Sequence, residues 1–322
     1  MQAITEVIAR DLGVSGDLIE STLRSARSRF RVLKIPKRDG GVRRVIQPTA
    51  NLKLIHEWLL ITTFSKLPVS SIATAFKPGS SILNNAKMHA KSRYSVRVDL
   101  QSFFPSIKAE DFSAVIERCL TDLPEIAAQP EFMGLVTLAC FDKSDRLPIG
   151  YPTSPTIANA VMFDFDQRLH EIVLSQADIY GDARLSRYAD DFVFSTNKIG
   201  ACRDFVDLFR LRLTETTAPA LAINEDKTRY MSRAGGSALV TGLKINEQGE
   251  VRVHPKYRDH VRLLLKLYAT HKLSIESLEQ LRGHLAFVEF ADPKLFTRLA
   301  FRYFGQIESL RAPQSQQEDP AG

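Results

Sequence analysis

Arg187-Tyr188-Ala189-Asp190-Asp191-Phe192-Val193-Phe194-Ser195 places two adjacent acids inside a run that otherwise reads as β-structure. Val193 and the aromatic residues Tyr188, Phe192 and Phe194 favour an extended, half-buried backbone. The acids interrupt it, so the stretch predicts a hairpin with carboxylates at its turn. Neighbouring carboxylates repel each other and lose hydration when partly buried, costs that a divalent cation or open solvent offsets. By itself the pair leaves two readings open, a metal-binding turn and an ordinary solvated acidic tip.

The surrounding chain has 322 residues, enough for two or three subdomains and a large core. Its 44% hydrophobic and 25% charged content is that of a globular protein. No apolar run reaches the ~18 residues needed to span a bilayer, and Met1-Gln2-Ala3-Ile4 shows no secretory pattern. Cys119, Cys140 and Cys202 have no paired spacing, so they read as buried thiols in a reducing cytosol. The net charge of +6 mildly favours a polyanionic partner such as nucleic acid.

Upstream, residues 4–29 predict helices, with Ser15 or Asp17 as a cap. Residues 31–48 alternate on both sides of Asp39-Gly40-Gly41, which predicts a β-hairpin. It carries Lys34, Lys37, Arg38, Arg43 and Arg44, either a charged edge exposed to water or a clamp for phosphates. Residues 50–66 predict an apolar helix, and Asn85 and His89 lie one turn apart on a short one. Val96 and Val98 open a strand that ends at Asp99. Residues 111–120 and 127–141 predict helices. Leu147 to Pro155 is a Pro/Gly-rich loop feeding one long apolar helix. Downstream, 201–213 predicts a helix, and 220–223 and 238–245 predict single strands. Beyond about 255 the pattern is helical, with Arg258, Arg262 and Lys266 forming a basic stripe at i, i+4 and i+8. The polar residues 312–322 are expected to be disordered.

If the strands ending at Asp99 and turning at Asp190-Asp191 are neighbours, three carboxylates converge on one sheet edge. Hard oxygen ligands in that number suit Mg²⁺, and two such ions support nucleotidyl transfer. The cationic hairpin and the basic helix are the further parts such chemistry needs, for a triphosphate and for a nucleic-acid backbone.

The ordered set of motifs resembles a bacterial retron-type reverse transcriptase. The likeness rests on Arg43 with Ile46 and Pro48, Val98-Asp99-Leu100 with Phe103-Phe104, and Gly150-Tyr151-Pro152-Thr153-Ser154-Pro155 with Asn159. It also includes Tyr188 to Asp191, Lys227 and Leu243-Lys244. It runs from about residue 31 to 305. Asn85-Ala86-Lys87-Met88-His89 and Val240-Thr241-Gly242 resemble elements of the retron branch. One position departs: Ile149 stands where similar enzymes often have a Gln that contacts the incoming nucleotide, and isoleucine cannot make that hydrogen bond.

The resemblance implies an α+β right-hand polymerase: N-terminal helices and fingers over 1–92, and a palm with an antiparallel sheet over 93–250. Fingers helices would be inserted around 111–145, and a helical thumb would follow over 251–311. It implies that Asp99, Asp190 and Asp191, with the Leu100 carbonyl, hold two Mg²⁺. Lys37, Arg43, Phe104 and Lys227 are expected at the dNTP, Phe104 excluding a 2′-hydroxyl and Lys227 donating a proton to pyrophosphate. Asn85, His89, Val240, Thr241, Gly242, Arg258, Arg262 and Lys266 are expected to contact RNA or the template–primer. A bacterial cytoplasmic enzyme is implied, which copies part of a cognate structured RNA into branched msDNA. A separate effector protein for antiphage defence is expected, and no membrane partner. The competing readings are a non-retron bacterial reverse transcriptase, group II intron-like or from another defence system, and a catalytically dead RNA-binding module on the same fold.

Overall fold

The structure is a computed structural model and describes residues 2–36 and 40–311. Lys37, Arg38 and the expected tail at 312–322 lie outside the described residues. Helices α1 (Gln2–Leu12) and α2 (Gly16–Ser25) open the chain. Ser15, not Asp17, caps α2, its hydroxyl accepting the Leu18 N–H. The cationic ribbon is strands β1 (Phe30–Pro36) and β2 (Val42–Pro48), antiparallel, with Lys34 opposite Arg44 and Ile35 opposite Arg43. α3 (Ala50–Thr62) follows and buries Leu52, Ile55, Trp58 and Leu59. Next come α4 (Ile82–His89), β3 (Tyr94–Asp99), the single-turn α5 (Phe103–Ser106), α6 (Ala109–Cys119) and α7 (Phe132–Cys140).

Several expected elements differ in extent. The helix expected over 127–141 begins only at Phe132. Gln129 is extended at ψ 136°, as a residue before proline is when Pro130 crowds the helical region. The long apolar helix is divided at Met162 into α8 (Ser154–Val161) and α9 (Phe163–Ser175). After α10 (Ala177–Tyr180) come β4 (Arg184–Tyr188), β5 (Asp191–Thr196) and α11 (Ala201–Glu215). Residues 220–223 make only an isolated bridge, Ile223 to Leu100, instead of a full strand. β6 (Arg229–Ser232) precedes a hairpin where one strand was expected: β7 (Ala238–Val240) and β8 (Leu243–Ile245). Thr241 and Gly242 have φ of 46° and 82°, and two successive left-handed residues turn a strand back on itself. β9 (Val251–Val253) leads into α12 (Pro255–Ala269), α13 (Glu276–Ala291), α14 (Pro293–Arg302) and α15 (Phe304–Arg311).

The described residues form two compact units, one within Met1–Ser80 and Tyr94–Tyr230, the other within Ser81–Arg93 and Met231–Gly322. The first holds a sheet of order β4-β5-β3, with β6 starting at its edge. Alternation sorts the sheet's two faces. Val96 and Val98 lie opposite Phe194 and Phe192. These rings pack on α11, Phe194 against Phe205 at 4.3 Å and Phe192 against Phe209 at 4.9 Å. That leaves Arg97, Asp99 and Asp191 on the opposite face. The second unit places α4 beside the β7-β8-β9 sheet. No helix among the described residues is long and apolar enough to cross a membrane.

Candidate active site

The two strands expected to carry the carboxylates are neighbours in the first unit. β3 and β5 are antiparallel in a register that sets Asp99 directly opposite Asp191. Tyr188 pairs with Asp191, so Ala189 and Asp190 form a two-residue turn, with Ala189 at φ 57°. Beyond its strand, the backbone at Asp99 is held on both sides. The Leu100 N–H donates to the Asp190 carbonyl at 3.0 Å, and the Asn224 N–H donates to the Asp99 carbonyl at 2.7 Å. The Gln101 N–H donates to the Ala222 carbonyl at 2.8 Å. These bonds fix the backbones that carry all three acids.

Burial raises the carboxyl pKa of Asp190, and the nearby Asp99 charge raises it further. Burial also raises that of Asp191, although Arg97 opposes it. Arg97 is two residues before Asp99 on the same strand face and diagonal to Asp191, within reach of a long side chain. Its Nε donates to Asp191 Oδ1 at 2.8 Å, and its Nη2 is 3.8 Å from Asp99 Oδ2. Lys227 Nζ donates to Asp99 Oδ1 at 3.1 Å. Among the described residues no group of three or more histidine, cysteine or acidic side chains lies close enough together to hold a metal ion. The donor set nevertheless fits a divalent cation. Three hard-oxygen side chains stand on adjoining backbone, in a setting where uncompensated negative charge is unfavourable.

Beneath the turn lies an ion pair without solvent exposure. Arg187 and Asp166 both have no exposed side-chain surface, and the Arg187 Nε and Nη2 donate to Asp166 at 2.6–2.9 Å. Arg187 Nη1 also donates to the Asn159 Oδ1 at 3.1 Å and to the Ala189 carbonyl at 3.3 Å. The α8–α9 segment therefore holds the turn through one guanidinium.

A cleft of 1490 Å³ opens over the carboxylates. Arg43, Leu100, Phe104, Ile149 and Lys227 line it with Asp99, Asp190 and Asp191. Ribbon β1–β2 meets the Pro/Gly loop closely: the Ile46 N–H donates to the Ile149 carbonyl at 2.7 Å. A Cβ on Gly150, whose φ is 109°, would come within 2.6 Å of both the Ile46 carbonyl oxygen and Val45 Cγ1.

The remaining expected residues lie in the second unit. Asn85, His89 and Val240 are buried, and Thr241 Oγ1 donates to the Ile82 carbonyl at 3.1 Å. The Val240-Thr241-Gly242 turn is thus bound to α4, and the Asn85 and His89 side chains do not reach the surface. Arg258, Arg262 and Lys266 lie along α12, where Asp259 takes part of the charge: Arg258 Nε donates to it at 2.9 Å and Arg262 Nη1 at 3.5 Å. Sequence reasoning missed Arg97, Asp166 and the buried role of Arg187. Strand alternation from Asp99 was a signal for Arg97. Nothing local marks Asp166 as the partner of a residue 21 positions away.

Residues 35–289 match the family profile described as reverse transcriptase (RNA-dependent DNA polymerase). The retron Ec73 reverse transcriptase of Escherichia coli is 38% identical over 281 residues, covering 86% of this chain and 88% of that protein. The chain belongs to the retron-type reverse transcriptases. The retron Mx162 reverse transcriptase of Myxococcus xanthus is 35% identical over 286 residues, 80% of this chain and 57% of its own length. In fold, the apo telomerase of Candida tropicalis is similar with a TM-score of 0.50 at 13% identity. That match covers 89% of this chain and 62% of the telomerase chain. The shared architecture is the α+β right-hand polymerase. This reverse transcriptase is accordingly an RNA-directed DNA polymerase, with an RNA template as its partner and divalent metal ions as the family's cofactor.

Proposed function

We propose that this reverse transcriptase recognises a cognate structured RNA, primes from a 2′-hydroxyl within it, and copies an adjacent part into DNA. The product is a branched RNA–DNA molecule, msDNA, made in the bacterial cytoplasm as part of an antiphage system with a separate effector protein. The observation that carries the catalytic part is the cross-strand pairing of Asp99 with Asp191, next to the Asp190 turn, in a cleft lined by Arg43 and Lys227. The retron part is supported by the likeness to the Ec73 enzyme.

In this reading Asp99, Asp190 and Asp191, with the Leu100 carbonyl, hold Mg²⁺. The metal would activate the attacking hydroxyl and neutralise charge on the phosphates. Arg43 and Lys37 bind the triphosphate, Arg43 supplying a bidentate fork and Lys37 a point charge. Lys227, whose Nζ donates to Asp99, gives a proton to departing pyrophosphate. Phe104 lies under the sugar and rejects a 2′-hydroxyl. Arg258, Arg262 and Lys266 follow the template–primer backbone. Asn85, His89, Val240 and Gly242 act on RNA indirectly, by fixing the surface around the Thr241 turn.

The test is to purify the protein with its bound RNA and add dNTPs and Mg²⁺. DNA covalently joined to RNA should form, with a branch revealed by sequencing after ribonuclease treatment. Asp190→Asn should form none. If wild type and Asp190→Asn behave alike, the assigned site is wrong. DNA made without an RNA branch would retain the polymerase and remove the priming mode.

A further inference from the structure

Phe76 combines three properties. Its φ is 57°, a left-handed conformation uncommon for a bulky side chain. Its surface is 52% exposed, whereas Ala73, Thr74 and Ala75 just before it are buried. It also lines the catalytic cleft. It meets Phe104 in an edge-type arrangement at a centroid distance of 6.4 Å and an angle of 64°. Tyr188, which opens the catalytic turn, lies 6.5 Å away.

The chain before Phe76 is pinned to the catalytic hairpin. Arg187 N–H donates to the Ile72 carbonyl at 2.7 Å, and the Thr74 N–H donates back to the Arg187 carbonyl at 2.8 Å. Thr74 Oγ1 donates to the same carbonyl at 3.1 Å, and Asn159 Nδ2 donates to the Ala75 carbonyl at 3.0 Å. Four bonds thus present one ring, in a strained conformation, to the space above the carboxylates. Strain of this kind persists where surrounding structure over-determines it, commonly at functional sites. Unlike Ala73, Thr74 and Ala75, this ring is held out into the cleft.

We propose that Phe76 is a stacking platform for a nucleobase in the polymerase cleft. The cations and carboxylates around it suit phosphates and metal, and none offers a base an apolar plane. Every base has a π-face, so such a platform is tolerant of sequence, as a template-copying enzyme requires. The edge contact with Phe104 and the tilted contact with Tyr188 orient the ring and leave its exposed side for the base. The base belongs to the incoming dNTP or to the primer–template, and kinetics separates the two.

The inference rests on the reading of this cleft as the polymerase site. The experiment uses the full chain, an RNA template with an annealed DNA primer, dNTPs and Mg²⁺. Phe76→Leu keeps apolar bulk and removes the π-face. It should lower extension efficiency by about tenfold or more, the order expected when one base loses its stacking partner, without lowering the melting temperature. Phe76→Trp, which keeps a π-face, should lose less extension efficiency than Phe76→Leu. Phe76→Gly relieves the backbone strain, so it should melt no lower than wild type and yet lose at least as much activity as Phe76→Leu. A raised KM for dNTP places the base on the incoming nucleotide. A weakened Kd for primer–template places it there instead. Either result supports the platform.

Extension by Phe76→Leu equal to wild type, or losses that only follow a fallen melting temperature, overturn it. So does a change confined to ribonucleotide discrimination, which would make Phe76 a mere prop for Phe104. Asp190→Asn is the control. If it extends as wild type does, the site assignment falls and Phe76 with it. If it is inactive while Phe76→Leu is normal, only the platform falls.

Discussion

Arg187 is fully buried, and its guanidinium is shared among the Asp166 carboxylate, the Asn159 side chain and the Ala189 carbonyl. A buried charge pair of this kind contributes little net stability over an apolar pair of the same volume, but losing one partner strands the other. Arg187→Met should therefore destabilise the protein by about 3–5 kcal/mol, read from denaturant unfolding. The double variant Arg187→Met with Asp166→Leu should recover much of that loss. It should not recover DNA synthesis, because the Ala189 carbonyl in the turn proposed to carry the metal ligands still lacks its donor. Renewed synthesis in the double variant would mean that the pair serves stability alone. In the sequence Arg187 is one more residue of a strand. Its role depends on Asp166 and Asn159, which lie on separate turns of the α8–α9 segment and meet it only when that segment packs on the sheet.

Among the elements, the cationic ribbon β1–β2 depends on one glycine for its seat. Gly150 faces the Ile46 carbonyl and Val45 at a distance no Cβ can accept, and its φ is left-handed. Gly150→Ala should force the ribbon outward and cost about 1–3 kcal/mol, the range for overpacking. The KM for dNTP should rise, since Arg43 moves with the ribbon, and steady-state kinetics on an RNA template would show it. An unchanged KM would separate Arg43 from nucleotide binding. The ribbon itself was legible from residues 31–48, because alternation around a glycine-containing turn is a local signal. Extents were less legible. The helix expected at 127 waits for Phe132 because of Pro130. The strand expected over 238–245 becomes a hairpin because Thr241 takes a left-handed conformation that its residue type does not advertise.

For the whole molecule, the net charge of +6 has its proposed outlet in the basic stripe of α12. Replacing Arg258, Arg262 and Lys266 by alanine should weaken binding to an RNA–DNA duplex and flatten its salt dependence. The slope of log K against log salt should fall by about one for each phosphate that is no longer neutralised. Asp259 already neutralises part of Arg258 and Arg262, so the change should be smallest at Arg258, the more tightly paired of the two. Affinity and slope unchanged in the triple variant would remove the duplex from this face. What the sequence determined by itself was the family, the three aspartates as candidates for the site, the cationic ribbon and the order of the motifs. Each of these depends on residue types at short spacings, where local chemistry and strand or helix periodicity act directly. Only the tertiary structure decided that Asp99 faces Asp191 in register, that Arg97 and Lys227 are their charge partners, and that Arg187 supports their turn. It also buried Asn85 and His89 in a helix that packs on a hairpin from far downstream in the chain. Apart from Arg97, two residues before Asp99 on its strand, such pairings are set by sheet register and by helices packing on a sheet, and no local spacing encodes them.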